Sequence, residues 1–172
     1  TVPRSQIAES GDYNLSGDRY KLTTIVEHSE YSVFSLAELE ANGELSFKRG
    51  AALSKKDIEP EGKHKCIHYG ELYTLYDPVI KDVVSRTNID SKSLSIAGDV
   101  LVPATTTAGP DGIAVACSLN ESNVIIGGDI NIIRTENRKL LADYLSWAIN
   151  YPLKSTLATY ATGVNIYHLS NN

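Results

Sequence analysis

The chain has 172 residues, of which 42% are hydrophobic and 22% charged, and it carries a formal net charge of −5. That length holds one domain with a sizeable core, and no apolar run approaches the ~20 residues of a bilayer-spanning helix. The acidic balance argues against indiscriminate DNA binding, which needs clustered Lys and Arg.

In chain order, residues 1–20 are polar and carry Gly-Asp turn signals, so they read as an extended arm. Residues 21–33 alternate loosely and suit an irregular strand. Ser35 opens a short helix over LAELEA as its N-cap, with Glu38 at the capping-box position, and Asn42-Gly43 closes it. Residues 48–65 hold six Lys or Arg with Gly50, Pro60 and Gly62, a loop with one turn near 54–58. CIHYGELYTLY reads as a strand broken or bulged at Gly70. VIKDVV at 79–84 is β-branched and reads as a strand. SLSIAGDVLVPA gives two short strands around Gly98-Asp99, and GIAVACSL another, closed by Asn120. NVIIGGDINIIR gives two more across Gly127, Gly128 and Asp129.

The pattern then changes. Leu140, Leu141, Tyr144, Leu145, Trp147 and Ala148 recur at helical spacing, so 137–150 is an amphipathic helix stopped by Pro152. Leu141, Tyr144, Leu145 and Ala148 are its expected packing face. Residues 153–161 suit a second short helix ended by Gly163, and VNIYHL a last strand. The sum is an α+β fold: a mixed or antiparallel, partly closed sheet of many short strands with helices at the C-terminal end.

Catalytic and metal signatures are not found. The chain has no Pro-Pro pair for a D/N-P-P-Y/F methylase loop and no GxGxxG opening a helix. Glu61-Gly62-Lys63 has the ExK shape of a nuclease but no preceding Pro-Asp. His28, His64, His68 and His168 lack metal spacing. Cys66 and Cys117 lie far apart, so buried free thiols in a reducing cytoplasm are the expectation. Charge is unevenly spread: residues 1–47 carry 3 basic and 8 acidic side chains, residues 48–92 carry 9 and 7, and residues 93–172 carry 4 and 6. A module that reads bases while partners supply phosphate contacts tolerates this balance. The competing reading is that Lys48, Arg49, Lys55 and Lys56 are a solvated surface.

Five motifs stand in order: HKCIHYGELYTLY at 64–76, SRTN at 85–88, AGDVLVPATT at 97–106, IIGGDINIIR at 125–134 and ATGVNIYHLS at 161–170. Their order and spacing resemble the target-recognition domain of type I restriction-modification specificity subunits, over about residues 34–170. Residues 1–20, with DYNL and RY, resemble the C-terminal tail of type I adenine-N6 methylase subunits. The expected organisation is therefore a tail-like arm at 1–20 and a single recognition domain at 21–172. The chain is expected to be the C-terminal piece of a fused methylase–specificity polypeptide.

The resemblance implies a non-catalytic, cytoplasmic bacterial or archaeal module that binds double-stranded DNA. It would direct an adenine-N6 methylase, and a nuclease, to one sequence. S-adenosylmethionine would be held by the methylase subunit or fused domain, with no cofactor in this chain. A restriction/translocase subunit and a second copy of the chain are further implied partners. Family subunits hold two such domains separated by long helices, whereas this chain carries one.

Base edges in the major groove are told apart by donors, acceptors and the thymine methyl. Lys63, His64 and Lys65, ahead of the strand, are the first candidates to meet DNA. Tyr69 and Tyr73, four apart, share a face of a regular strand and either stack on sugar or belong to a half-buried core. Arg86 ends the next strand. Thr105, Thr106 and Thr107 lie in a polar loop with Gly109 and Gly112. Arg134 closes the GGDI hairpin and pairs with a phosphate or with Asp129. Two other readings stand beside this one: a non-catalytic recognition tail of a single-chain restriction-methylation enzyme, and a protein-interaction module that has lost DNA binding, which net −5 favours.

Overall fold

The computed structural model describes residues 2–8, 11, 13, 15, 20, 32–136 and 141–169. The chain divides into two units, Thr1–Val33 and Phe34–Asn172. In the first, α1 (Arg4–Ala8) is a short helix with no buried residue, within the segment expected to be extended. The irregular strand expected over 21–33 falls almost wholly outside the described residues.

The second unit opens on α2 (Leu36–Ala41), and its start is the expected capping box. The Ser35 hydroxyl accepts the Glu38 N–H at 3.2 Å while the Glu38 carboxylate accepts the Ser35 N–H at 2.7 Å. Two of the helix's unpaired N-terminal donors are satisfied reciprocally. Asn42 caps the other end and Gly43 turns away at φ 70°.

The strands follow as β1 (Leu45–Arg49), β2 (His64–Ile67), β3 (Val79–Ile80), β4 (Arg86–Thr87), β5 (Asp99–Pro103), β6 (Thr105–Thr106), β7 (Cys117–Leu119), β8 (Ile125–Ile126), β9 (Ile130–Thr135) and β10 (Tyr167–His168). Helices α3 (Glu71–Thr74), α4 (Ala142–Asn150) and α5 (Lys154–Ala158) are interspersed, with 3₁₀ turns at Lys55–Asp57 and Pro110–Ile113. A five-stranded sheet runs β1-β9-β5-β7-β3, antiparallel except for β3 against β7. A three-stranded sheet runs β4-β2-β8, with β2 and β8 parallel, and β10 pairs with β6. The fold is α+β, with mixed sheets of short strands and helices at the C-terminal end, as expected; the sheets are open.

Inside the five-stranded sheet β5 is buried on both faces, which is why DVLVP has no polar alternation after its first residue. Leu101 and Ile132 point into one core with Ile67, Leu72, Ile80 and Ile126. Val100, Val102 and Ile133 point into the other, closed by Leu145 and Ile149 of α4. Each such side chain contributes about 1.5–3 kcal/mol of burial.

Several expected elements are redrawn. Gly70 does not bulge a strand. β2 has already ended at Ile67, and Gly70 is the N-cap of α3, whose entry is held by the Glu71 carboxylate accepting the His68 N–H at 2.6 Å. VIKDVV pairs only through Val79 and Ile80, and Val84 faces solvent. Ahead of Gly98, Leu94 makes only a single bridge to Ile125, and Asp99 already belongs to β5. β8 and β9 do not form a hairpin. Gly127 and Gly128 pass the chain from the small sheet to the large one. That crossing demands glycine: a methyl at Gly50 would overlap the Gly127 carbonyl, and Gly127 donates to the Ile67 carbonyl at 2.9 Å.

On α4 the buried face is Leu145, Ser146, Ala148 and Ile149. Leu141 and Tyr144, expected to pack, are 67% and 66% exposed. Residues 137–140 lie outside the described set. Among the described residues no helix is long and apolar enough to cross a membrane.

Candidate nucleic-acid interface

The structure separates the candidate residues into three places. The first is the β2–β4 ribbon, where Lys65 lies opposite Arg86 and His64 opposite Thr87. Arg86 turns back onto its own fold: its Nε donates to the Gly62 carbonyl at 2.6 Å and its Nη2 to the Lys63 carbonyl at 3.2 Å. Gly62 is needed there, because a methyl would strike the Thr87 backbone. Arg86 thus fixes the turn that presents Lys63 rather than projecting from it. Lys65 is paired with Glu121 at 2.7 Å, and His64 lies 3.2 Å from the exposed Asp90. Lys63 and His64 are the exposed pair of this group.

The second place gathers the aromatic and threonine candidates. Because α3 starts at Gly70, Tyr69 and Tyr73 do not share a strand face. Tyr69 packs against the Leu72–Ile80 side of the core, and its ring lies 4.6 Å from that of His68. The Tyr73 hydroxyl donates to the Thr105 carbonyl at 3.2 Å, joining two candidates 32 positions apart. Thr105 and Thr106 are strand, not loop, since β6 pairs with β10. Thr106 is buried, and its hydroxyl accepts the Ala108 N–H at 3.1 Å. Thr107 alone of the three is exposed.

The third place surrounds Arg134. Its partner is neither Asp129 nor a hairpin mate. Its Nε and Nη2 make a bidentate pair with Asp99 at 2.9 and 2.8 Å, and Nη2 also donates to the Leu94 carbonyl at 3.1 Å. Asp99 is buried and keeps the guanidinium oriented and charged, raising its already high pKa. In the β1–β9 ladder Ser46 faces Arg134 and Lys48 faces Ile132, so Lys48 and Arg134 share one face of the sheet. Arg49, at the end of β1, donates to the Gly128 carbonyl at 2.9 Å and lies 3.8 Å from Asp129.

The result is an open groove of about 430 Å³ lined by Lys48, Arg49, Gly50, Ala51, Lys92, Ser93, Leu94, Ile132 and Arg134. Four of its lining side chains are cationic and none is acidic. Sequence reasoning left Lys48 and Arg49 between a DNA-facing basic excess and a solvated surface and did not single out Lys92. The register that brings these residues to Arg134 depends on β1, which the basic content of 48–65 concealed. Among the described residues no group of His, Cys, Asp and Glu could hold a metal ion.

No protein-family model matches the chain, and no curated protein matches it. Solved structures do. The HsdS subunit from Thermoanaerobacter tengcongensis matches at 16% identity over 74% of this chain and 31% of that one, with a TM-score of 0.50. A structure of complex assembly and conformational transition in the type I R-M system matches at 15% identity over 68% of this chain and 27% of that one, also at 0.50. The type I restriction-modification S subunit from M. genitalium matches at 15% identity over 74% and 29%, with a TM-score of 0.47. This chain spans under a third of each. At these identities the shared property is the fold.

Proposed function

We propose that the second unit is a sequence-specific DNA-recognition domain of a type I restriction-modification system, without chemistry of its own. The observation that carries this is a fold held in common with an HsdS subunit over 74% of this chain, despite 16% identity. The five motifs of the sequence fall on the elements that build that fold: β2 and α3, β4, β5 and β6, β8 and β9, and β10. In this reading an adenine-N6 methylase, as a subunit or as a fused domain, brings S-adenosylmethionine. The methylase-like segment at 1–20 belongs to that connection, and a restriction subunit is a further partner. Lys63, His64 and Thr107 are the exposed polar candidates for base edges, while Arg86, Tyr73 and Thr106 hold the loops that carry them.

The test is selection from a pool of random duplexes by the full chain, alone and with its methylase. Enrichment of one sequence motif, with affinity falling steeply as salt rises, is the expected result. A pool that stays random while the protein remains folded refutes it. A second reading, a protein-interaction module, is favoured by the outer face of α4. There Tyr144 is exposed, and Trp147 stacks on Tyr151 with ring centroids 4.9 Å apart. Net charge −5 points the same way.

A further inference from the structure

The turn at 59–63, which leads into β2, is tied down by side chains from the SRTN segment. Asn88, one residue past β4, accepts the Lys63 N–H on its Oδ1 at 3.1 Å and donates from Nδ2 to the Glu59 carboxylate at 2.6 Å. Arg86 donates to the Gly62 and Lys63 carbonyls. Within the turn the Gly62 N–H meets the Glu59 carbonyl at 3.1 Å, and the Glu59 N–H returns to the Arg86 carbonyl at 2.9 Å. Both backbone polar groups of Lys63 are thus held by side chains of another segment. At the base of the turn, Thr87 is buried and its hydroxyl donates to the Asp57 carbonyl at 2.7 Å. A backbone set in this way has been ordered before any ligand arrives, so binding has only the side chains left to order.

The tip fixed in this way carries one carboxylate and one ammonium. Glu61 and Lys63 are exposed, with Gly62 buried between them. Among the described residues neither charged group has a hydrogen-bond or ion-pair partner, whereas the Glu59 carboxylate is occupied by Asn88. This pattern decides between the two kinds of DNA contact. A phosphate track is met by clustered cations, and here two carboxylates share the turn with a single Lys. Base edges in the major groove offer groups of both kinds. Guanine O6 and N7 accept from a Lys, and the cytosine N4 amino group donates to a carboxylate. Reading also demands fixed placement, because a base edge rewards a donor at one position, while a phosphate contact carries no sequence information.

We propose that the 59–63 turn is a major-groove finger that reads a G·C pair, with the Lys63 ammonium on guanine O6 and N7 and the Glu61 carboxylate on the cytosine amino group, and that Asn88 is its positioning residue. The inference rests on the DNA-recognition reading and names the base pair that this part of the domain selects. Asn88 touches no base. It acts through the Lys63 N–H and by holding Glu59 away from the ammonium's task. The SRTN motif thereby gains a role in full: Arg86 and Asn88 set the finger, and Thr87 secures its base.

The test is selection by the full chain from a pool of random duplexes, then fluorescence anisotropy on the selected and on random duplex across a salt series. The wild type should enrich a motif that contains a G·C pair. Lys63→Gln should change the preference at one position from G to A, because a carboxamide pairs with adenine N6 and N7. Its affinity for the wild-type motif should fall about 5- to 150-fold, the range of one good base contact, with random duplex bound as before. Glu61→Ala should weaken discrimination at the same pair. Asn88→Ala should do so too, with the affinity for random duplex and the melting temperature held, and the Lys63 amide should exchange its hydrogen faster. Lys154→Ala, an equal charge change on α5, should leave the motif intact. A wild-type motif without a G·C pair, or one that K63Q leaves unchanged, overturns the finger while DNA recognition stands. So does a uniform loss in K63Q on selected and random duplex with the salt slope shallower by about one unit, the signature of a phosphate contact. A G preference undiminished in N88A overturns the role of Asn88. A pool that stays random with folded wild type overturns the finger and the DNA-recognition reading together.

Discussion

Replacing Arg134 with Ala should be among the most destabilising single changes in the large sheet, and more costly than removing its partner. The pair joins β9 to β5, and the side chains are 18% and 1% exposed. Without Arg134, the Asp99 carboxylate keeps one donor, the Ile96 N–H at 2.8 Å, in a site closed to water. Stranding a buried charge costs about 3–5 kcal/mol. At roughly 2–4 °C per kcal/mol for a chain of this size, the melting temperature should fall by roughly 6–20 °C. Asp99→Ala leaves the more exposed partner, and Arg134 turns into the groove, so the loss is that of charged hydrogen bonds, about 1.5–3 kcal/mol. The double variant should cost less than the sum of the singles, with a coupling of roughly 0.5–3 kcal/mol. Calorimetry and urea titration of the four proteins measure this. The reasoning is refuted if R134A costs under about 1 kcal/mol, or if D99A costs more than R134A.

Three more outcomes are expected. Leu145→Ala should cost about 2–5 kcal/mol, because the side chain is 3% exposed in the second core, whereas Tyr144→Ala should stay within about 0.5 kcal/mol; equal losses in urea melts would mean the helix face is misassigned. Hydrogen bonds from Ser35, first from its backbone N–H and then from its hydroxyl, hold the Glu38 carboxyl below its ordinary 4.5. A depressed folded value means the box stabilises fully above about 4.5 and is lost as pH falls through the lowered value. In an NMR titration S35A, which removes the hydroxyl and keeps the backbone N–H, should move Glu38 part of the way back up, and an unmoved value would show that the hydroxyl contributes nothing. Burial pushes the Cys66 thiol up to about 11, with the Glu71 charge adding, and Cys117 to about 12 with Asp77 adding. Both should resist a thiol-specific disulfide reagent at pH 8 until urea unfolds the chain; rapid native labelling would contradict their burial.

What was legible in the sequence is what local chemistry decides. Ser35, Glu38 and Asn42 specify α2 at both ends, because a cap is satisfied by residues within one turn. The Gly-Asp steps at 98–99 and 128–129 do mark where strands start. What stayed hidden was partner choice. IIGGDINIIR reads as a hairpin because nothing local reports that β8 prefers β2 while β9 prefers β1 and β5. Tyr144 and Leu141 look like core by spacing. Ser146, polar and fully buried, takes their place because its hydroxyl returns to the Asp143 carbonyl at 2.9 Å and Asn150 bridges to Ala116. Arg134 was visible as a candidate, and its Asp99 mate, 35 positions away, was not.

That same non-locality explains why the two candidate surfaces differ in kind. At the β2–β4 turn Lys63, His64 and Lys65 are sequence neighbours, and the fold engages most of the polar side chains there: Arg86 on carbonyls, Lys65 on Glu121, His64 beside Asp90. A run of like charges along one strand must be neutralised or spread to be stable, so density in sequence does not become density on the surface. At the groove the cations come from three separated segments, which the β1–β9 register and the bonds of Ser93 and Arg134 to neighbouring carbonyls bring together. Register, not composition, sets the local field. A lining with four cationic side chains and no acidic one can therefore be assembled in a chain of net −5 from residues far apart in sequence.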